Sequence, residues 1–206
     1  MKERPIPFNV PMVRALLDGT KTQTRRALRI QPPDWALNVF AVGRDHYFHE
    51  GSAAQPGKCW PAFGRGVPCP HGQPGDRLWG KETHWCDDED GAILYAANVQ
   101  DFQIVNQNKF ETGSAKYNWT PSRFMPRAAS LITLEITGVR VERLQDISEA
   151  DALSEGVDGK SWPQEFTKKG HGGRSDFRDV WESISGPNSW TANPWVWVIG
   201  FKVLQE

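Results

Sequence analysis

The pattern that most constrains this chain is the two-residue alternation of Ser130–Arg143, interrupted at Gly138. Ile132, Leu134 and Ile136 fall on one side, with Leu131, Thr133 and Glu135 on the other, as in a strand with one buried face. Gly138 in its middle predicts a bulge or bend. Trp195–Leu204 is a second alternating strand. Between the two the period changes. Ser148-Glu149-Ala150-Asp151 has the form of a helix N-terminus, with Ser148 as cap and the helix ending at Gly156. Phe177, Val180, Trp181 and Ile184 share one face of a further helix. Strands interrupted by helices and long loops, without regular βαβ spacing, favour an α+β fold with a small mixed β-barrel over a doubly wound sheet.

Upstream the pattern is looser. Val10, Val13, Leu16 and Leu17 form a helical stripe, and Gly19 stands where a left-handed residue would end that helix. Ala27–Ile30 alternates weakly and is expected to start a strand. Residues 31–74 carry seven prolines and six glycines, predicting a long insertion of loops with one short hairpin around Val39–His49. Asp76–Trp85 and Ala92–Ala96 predict strands. Residues 100–122 are polar, and the Gly- and Lys-rich residues 158–175 predict a mobile segment. The 206 residues therefore suit a single domain, 1–206, with insertions near 31–70, 100–122 and 158–175.

Composition narrows the partners. Net charge is −1, which argues against a generally basic nucleic-acid coat, so any polyanion site is a local patch. Ten tryptophans supply core area and flat surfaces on which bases could stack. No secretory leader, acylation motif or long apolar run is found, so the expectation is a soluble, cytoplasmic protein without membrane partners. Three cysteines at irregular spacing speak against a disulfide framework.

Chemistry concentrates in Gly19-Thr20-Lys21-Thr22-Gln23-Thr24-Arg25-Arg26, a lysine, hydroxyls and two arginines behind the first helix. Lysine and threonine can act as base and nucleophile if burial lowers the ammonium pKa. A lysine on a turn contributes little to a core, so Lys21→Ala is expected to remove activity without unfolding the chain. Gly19-x-Lys21-x-x-Thr24-x-Arg26 resembles the signature of the ASCH family, a branch of the PUA-like β-barrels, in which many members carry glutamate where this chain has Thr24. The threonine variant is similar to the N4-acetylcytidine amidohydrolases of that family, whose set is a lysine, a threonine three residues on and a distant glutamate. Gly75-Asp76-Arg77-Leu78-Trp79-Gly80-Lys81-Glu82-Thr83 supplies Glu82 at the matching place. Arg4-Pro5-Ile6-Pro7-Phe8, Met125-Pro126-Arg127, Leu144-Gln145-Asp146-Ile147-Ser148 and Asn193-Pro194-Trp195-Val196-Trp197 resemble ASCH proteins of bacteriophages and prophages.

The resemblance implies a PUA-like barrel with flanking helices, Lys21, Thr24 and Glu82 as catalytic set, and no cofactor. Thr24 would attack an acyl carbonyl or position a water, with Lys21 as base and Glu82 passing the proton to the leaving nitrogen. Glu82 beside Lys21 would also stabilise the ammonium and oppose its role as base, so the pair is expected to titrate together. Thr22, Arg25, Arg26, Trp79 and Arg127 are the candidate contacts to a nucleoside, RNA or modified nucleic acid, with Arg123 and Trp119 beside them. A non-catalytic binder of RNA or modified bases is the main alternative; a ribonuclease ranks lower, because no histidine pair is placed for acid–base cleavage. Cys59, Cys69, His71, His84 and Cys86 carry soft ligands, but their spacing lacks the close cysteine pair of zinc modules, so no metal is assigned.

Overall fold

The computed structural model describes residues 1–50, 58–61, 66–87, 91–99, 102–106, 109–112, 118–157, 162 and 173–204. The expected insertion at 158–175 lies outside these residues except at Trp162 and from Gly173 onward. The elements in chain order are β1 (Glu3–Pro7), α1 (Val10–Leu17), β2 (Gln23–Ala27), β3 (Asn38–Val42), β4 (Asp45–His49), β5 (Cys59–Trp60), β6 (Val67–Pro68) and β7 (Arg77–Lys81). They continue with β8 (His84–Cys86), β9 (Ile93–Tyr95), β10 (Phe102–Asn106), β11 (Lys109–Thr112), β12 (Thr133–Arg143), α2 (Glu149–Ser154), α3 (Gly173–Ser185) and β13 (Trp195–Leu204). The class is mixed α+β and mostly sheet.

The main sheet has the order β1-β7-β12-β13-β2; β1 and β7 run parallel and the other pairs antiparallel. Its strand ladder ends at β1 and β2. Between these two edges Arg26 stretches out, donating from a terminal nitrogen to the Pro7 carbonyl at 2.6 Å.

The alternation of β12 survives its own interruption. Ile136 pairs with Phe201, the register then shifts, and Val139 and Val141 pair with Ile199 and Trp197. Without the extra residue at the bulge, the apolar side chains after Gly138 would turn to the opposite face. With it, Leu134, Ile136 and Val141 all enter one core.

β13 is buried on both faces. Trp195, Trp197, Ile199 and Phe201 join that first core, while Val196 and Val198 join a second under α2 and α3 with Leu144, Phe177, Val180 and Trp181. A strand covered on both sides is a near-continuous apolar run, which is how Trp195-Val196-Trp197-Val198-Ile199 reads.

Residues 31–74 are more than loops with one hairpin. β3 and β4 form the expected hairpin, and β5 and β6 both pair with β4. Phe48 and Ala36 are buried in the first core, and Phe48 meets the Trp195 ring edge-on at 5.2 Å. The prolines and glycines interrupt strands here without preventing them, because each strand is short.

Two boundaries also differ from expectation. The strand expected to start at Ala27 ends there, so the signature itself forms β2. Asp76–Trp85 is two strands, broken where the Glu82 amide donates to the Met125 sulfur at 3.3 Å and the Thr83 carbonyl takes the Ala96 amide at 3.0 Å. The polar stretch 100–122 contains the β10–β11 hairpin, described through its backbone pairing.

Candidate functional site

α1 starts at an Asn9 cap, whose side chain accepts the Met12 amide at 3.0 Å, and ends at Gly19, φ +73°. That left-handed turn aims the chain back across the helix. The Lys21 amide reaches the Ala15 carbonyl at 3.0 Å, and the Thr22 amide reaches Ser154 at the end of α2 at 2.9 Å. Lys21 is thus wedged between two helix ends. Its side chain is fully enclosed, and Nζ donates to the Glu155 carbonyl at 2.9 Å and to Glu155 Oε2 at 3.0 Å. Burial lowers the Lys21 pKa against the pull of Glu155, with the charges of Arg26 and Arg25 adding to the lowering.

Within β2 the pairing with β13 decides which way each side chain goes. Arg25 stands opposite Val198 on the helix-covered face; Thr24 and Arg26 stand opposite Ile199 and Trp197 on the face of the first core. Arg25 is fully enclosed and contacts Glu155 Oε1 at 3.1 Å, Asp151 at 3.2 Å and Glu142, with its guanidinium 5.8 Å from the Phe177 ring centre. Arg140 closes the network on Glu142 and Asp151, each at 3.0 Å. Three cations, Lys21, Arg25 and Arg140, thereby face three carboxylates.

Thr24 is 1% exposed. Arg26 lies over the Phe8 ring at 5.7 Å, and its Nε is shut off from water with no acceptor among the described residues. Burial lowers its pKa as well.

A cleft of about 120 Å³ opens beside β2, lined by Thr24, Arg25, Arg26 and Glu155 on one side and by Met12, Phe177 and Trp181 among the residues of the other. Polar groups on one wall and aromatic ones on the other suit a planar, hydrogen-bonding ligand.

The other candidate residues fall elsewhere. Lys21 lies behind Glu155 and is not on the cleft wall. Glu82, two residues beyond Gly80 on the core-facing side of β7, is 4% exposed and also off the cleft wall. No ion pair to its carboxylate is found among the described residues, and burial raises its pKa to about 7. Trp79 and Lys81 take the opposite side of β7, with the Lys81 ammonium 5.4 Å from the Trp79 ring centre and bonded to the Arg123 carbonyl. Arg127 pairs with Glu3 at 3.1 Å, and Thr22 is exposed, held by its backbone. Trp119 is buried with Val10 and Ala96.

The cysteines are free thiols, and among the described residues no group of three or more His, Cys, Asp or Glu side chains is placed to hold a metal. His71 is held near pKa 4 by burial and by Arg26 and Arg4. Among the described residues no helix is long and apolar enough to cross a membrane.

Glu155 escaped the sequence reading. Its signal was an acid at the end of a helix, where the helix dipole disfavours negative charge and a carboxylate needs cations of its own. Comparison with protein-family models, curated proteins and solved structures finds no match to this chain.

Proposed function

We propose that this chain is an ASCH-type, PUA-like protein that takes a nucleoside or a nucleotide of RNA into the cleft beside β2 and hydrolyses an exocyclic amide such as that of N4-acetylcytidine. The observation that carries the reading is the cleft-lining Thr24, set three residues after a fully enclosed lysine whose burial works against its charge. The β1–β2 approach through Arg26 supports a rolled, barrel-like sheet. Thr24 Oγ attacks the acyl carbon, Lys21 draws off the hydroxyl proton, and Arg26 holds an acceptor of the ligand. Glu82, off the cleft wall but titrating near neutrality, is given the return of a proton to the leaving nitrogen by the ASCH resemblance.

The test is release of acetate and cytidine from N4-acetylcytidine by the wild type, Thr24→Ser and Thr24→Val. Serine keeps the hydroxyl and retains part of the turnover; valine abolishes it at near-constant volume while binding persists. Full turnover in Thr24→Val would remove threonine as nucleophile.

A second reading, a binder of RNA or modified bases without catalysis, is favoured by the outer surface of β7, where Trp79, Lys81, Arg123 and the exposed Phe124 combine cations with rings. On that reading no variant turns over, and Thr24→Val costs about 0.5–1.5 kcal/mol of affinity.

A further inference from the structure

The face of the sheet that α2 and α3 cover at β13 is exposed at its other end. Val196 and Val198 join the second core, but farther along the same face of β13 Lys202 is exposed. The register carries that face outward: Leu204 stands opposite Thr133, Thr133 opposite Trp79, and Trp79 opposite Pro5. Half-buried Trp79 and Lys81 and exposed Pro5 and Pro7 make up this end of the sheet. We propose that it is a docking surface for single-stranded nucleic acid, separate from the cleft. The site shares the nucleic-acid partner of the reading above and stands whether or not the cleft turns over amides.

The contacts build one continuous strip. The Lys81 ammonium lies 5.4 Å from the Trp79 ring centre and donates to the Arg123 carbonyl, and the Arg123 guanidinium lies 4.9 Å from the Phe124 ring centre. Phe124 is 63% exposed, so its ring is open to a partner. The turn that carries it is held from below. The Phe124 amide donates to the Pro121 carbonyl at 3.0 Å, and the sulfur of buried Met125 takes the Glu82 amide at 3.3 Å. A strip formed in advance loses little entropy on binding.

Charge selects the occupant. Glu3 and Glu135 flank Arg77 in the next row of this face. Each already has its own cation, Arg127 at 3.1 Å and Lys202 at 3.2 Å. Lys81 and Arg123 lie against rings instead, and neither forms an ion pair among the described residues. Two uncompensated cations interleaved with two rings match a chain in which phosphates alternate with bases. An open ring takes a base only when the base is unstacked, which favours a single strand over a duplex. A strand added from a peptide or a second copy is disfavoured at this edge, because Pro5 and Pro7 of β1 donate nothing to a ladder.

The test is fluorescence anisotropy of a labelled oligouridine of about 12 nucleotides with the wild type, Phe124→Ala, Arg123→Ala, Lys81→Ala and Arg178→Ala. Phe124→Ala is expected to weaken binding by about fivefold or more, with melting unchanged because the ring is exposed. Arg123→Ala and Lys81→Ala are each expected to lower the slope of log affinity against log salt by about 0.7. Arg178→Ala, on α3 and outside the strip, is expected to stay within about twofold of wild type. Wild-type protein that binds no oligouridine at about 50 mM salt overturns the proposal. So does Phe124→Ala within about twofold of wild type, or a salt slope unchanged in both cation variants. A duplex of the same length that binds as tightly overturns the single-stranded assignment. Sedimentation in which the wild type self-associates and Phe124→Ala does not, with no oligouridine bound, assigns the surface to a second copy and overturns it too. Acetate release from N4-acetylcytidine is read separately: its absence defeats the amidohydrolase reading and leaves this site standing, and absence of oligouridine binding does the reverse.

Discussion

Arg25 and Arg26 are neighbours in sequence and opposites in surroundings. Arg25 is enclosed on the helix-covered side of β2 and ion-paired to Glu142, Asp151 and Glu155. Arg26 is half-buried on the other side, bonded to one carbonyl and forming no ion pair among the described residues. Each side of the sheet also carries a buried glutamate: Glu155, clasped by two cations, and Glu82, buried without one. One side is charge-balanced and holds the fold; the other keeps polar groups in reserve.

The sharpest break of that contrast is Arg25→Met, which leaves three carboxylates without their shared partner and is expected to cost about 3–5 kcal/mol. Arg26→Met is expected to cost only about 1 kcal/mol, one hydrogen bond. Denaturant unfolding of the two variants gives both values, and equal losses would erase the difference between the faces. Lys21→Ala comes next, at roughly 2–4 kcal/mol from lost packing and a weakened Glu155 contact. This replaces the expectation of a harmless turn lysine, because the residue is enclosed; a variant as stable as wild type would restore it.

Glu82→Gln acts with the opposite sign. Its carboxyl has a usual value of 4.5 and is held at about 7 when folded, so the folded state binds the proton more tightly. Wild-type stability therefore falls as pH rises from about 4.5 to about 7 and levels off above. Above pH 7 the variant is expected to be more stable, by about 3 kcal/mol at most. Unfolding curves at pH 5 and pH 8 that give the same difference between variant and wild type would refute this. Smallest is the ligand effect of the two faces of β7 and β2. Arg26→Ala is expected to weaken nucleoside binding by about 1.5 kcal/mol, and Lys81→Ala, on the outer surface, to leave it unchanged by calorimetry.

Much of the scaffold was legible because its signals are local. Ser148 caps α2 by accepting the Asp151 amide at 3.1 Å, Gly19 ends α1, and β13 has the expected bounds. The bulge at Gly138 was visible as a glycine inside an alternation. The site was half legible. The signature marked Thr24 and Arg26, yet alternation placed Arg25 and Lys21 in a network whose third member lies 134 positions on from Lys21. No local pattern announces such a partner. The strands within 31–74 were missed for the same reason: two-residue strands such as β5 owe their existence to β4, not to their own composition.

β2 finds its ladder on β13, and Lys21 finds its anion on the residue after α2. During synthesis the signature therefore emerges long before its strand and ion-pair partners. The first 150 residues can assemble β1, β7 and β12, but β2 waits for residues 195–204 to leave the ribosome. Contacts this distant along the chain form late and slowly. A truncated chain lacking β13 would keep the carboxylates that face Lys21 and Arg25 but leave β2 an unpaired strand, open to quality control before any ligand could bind.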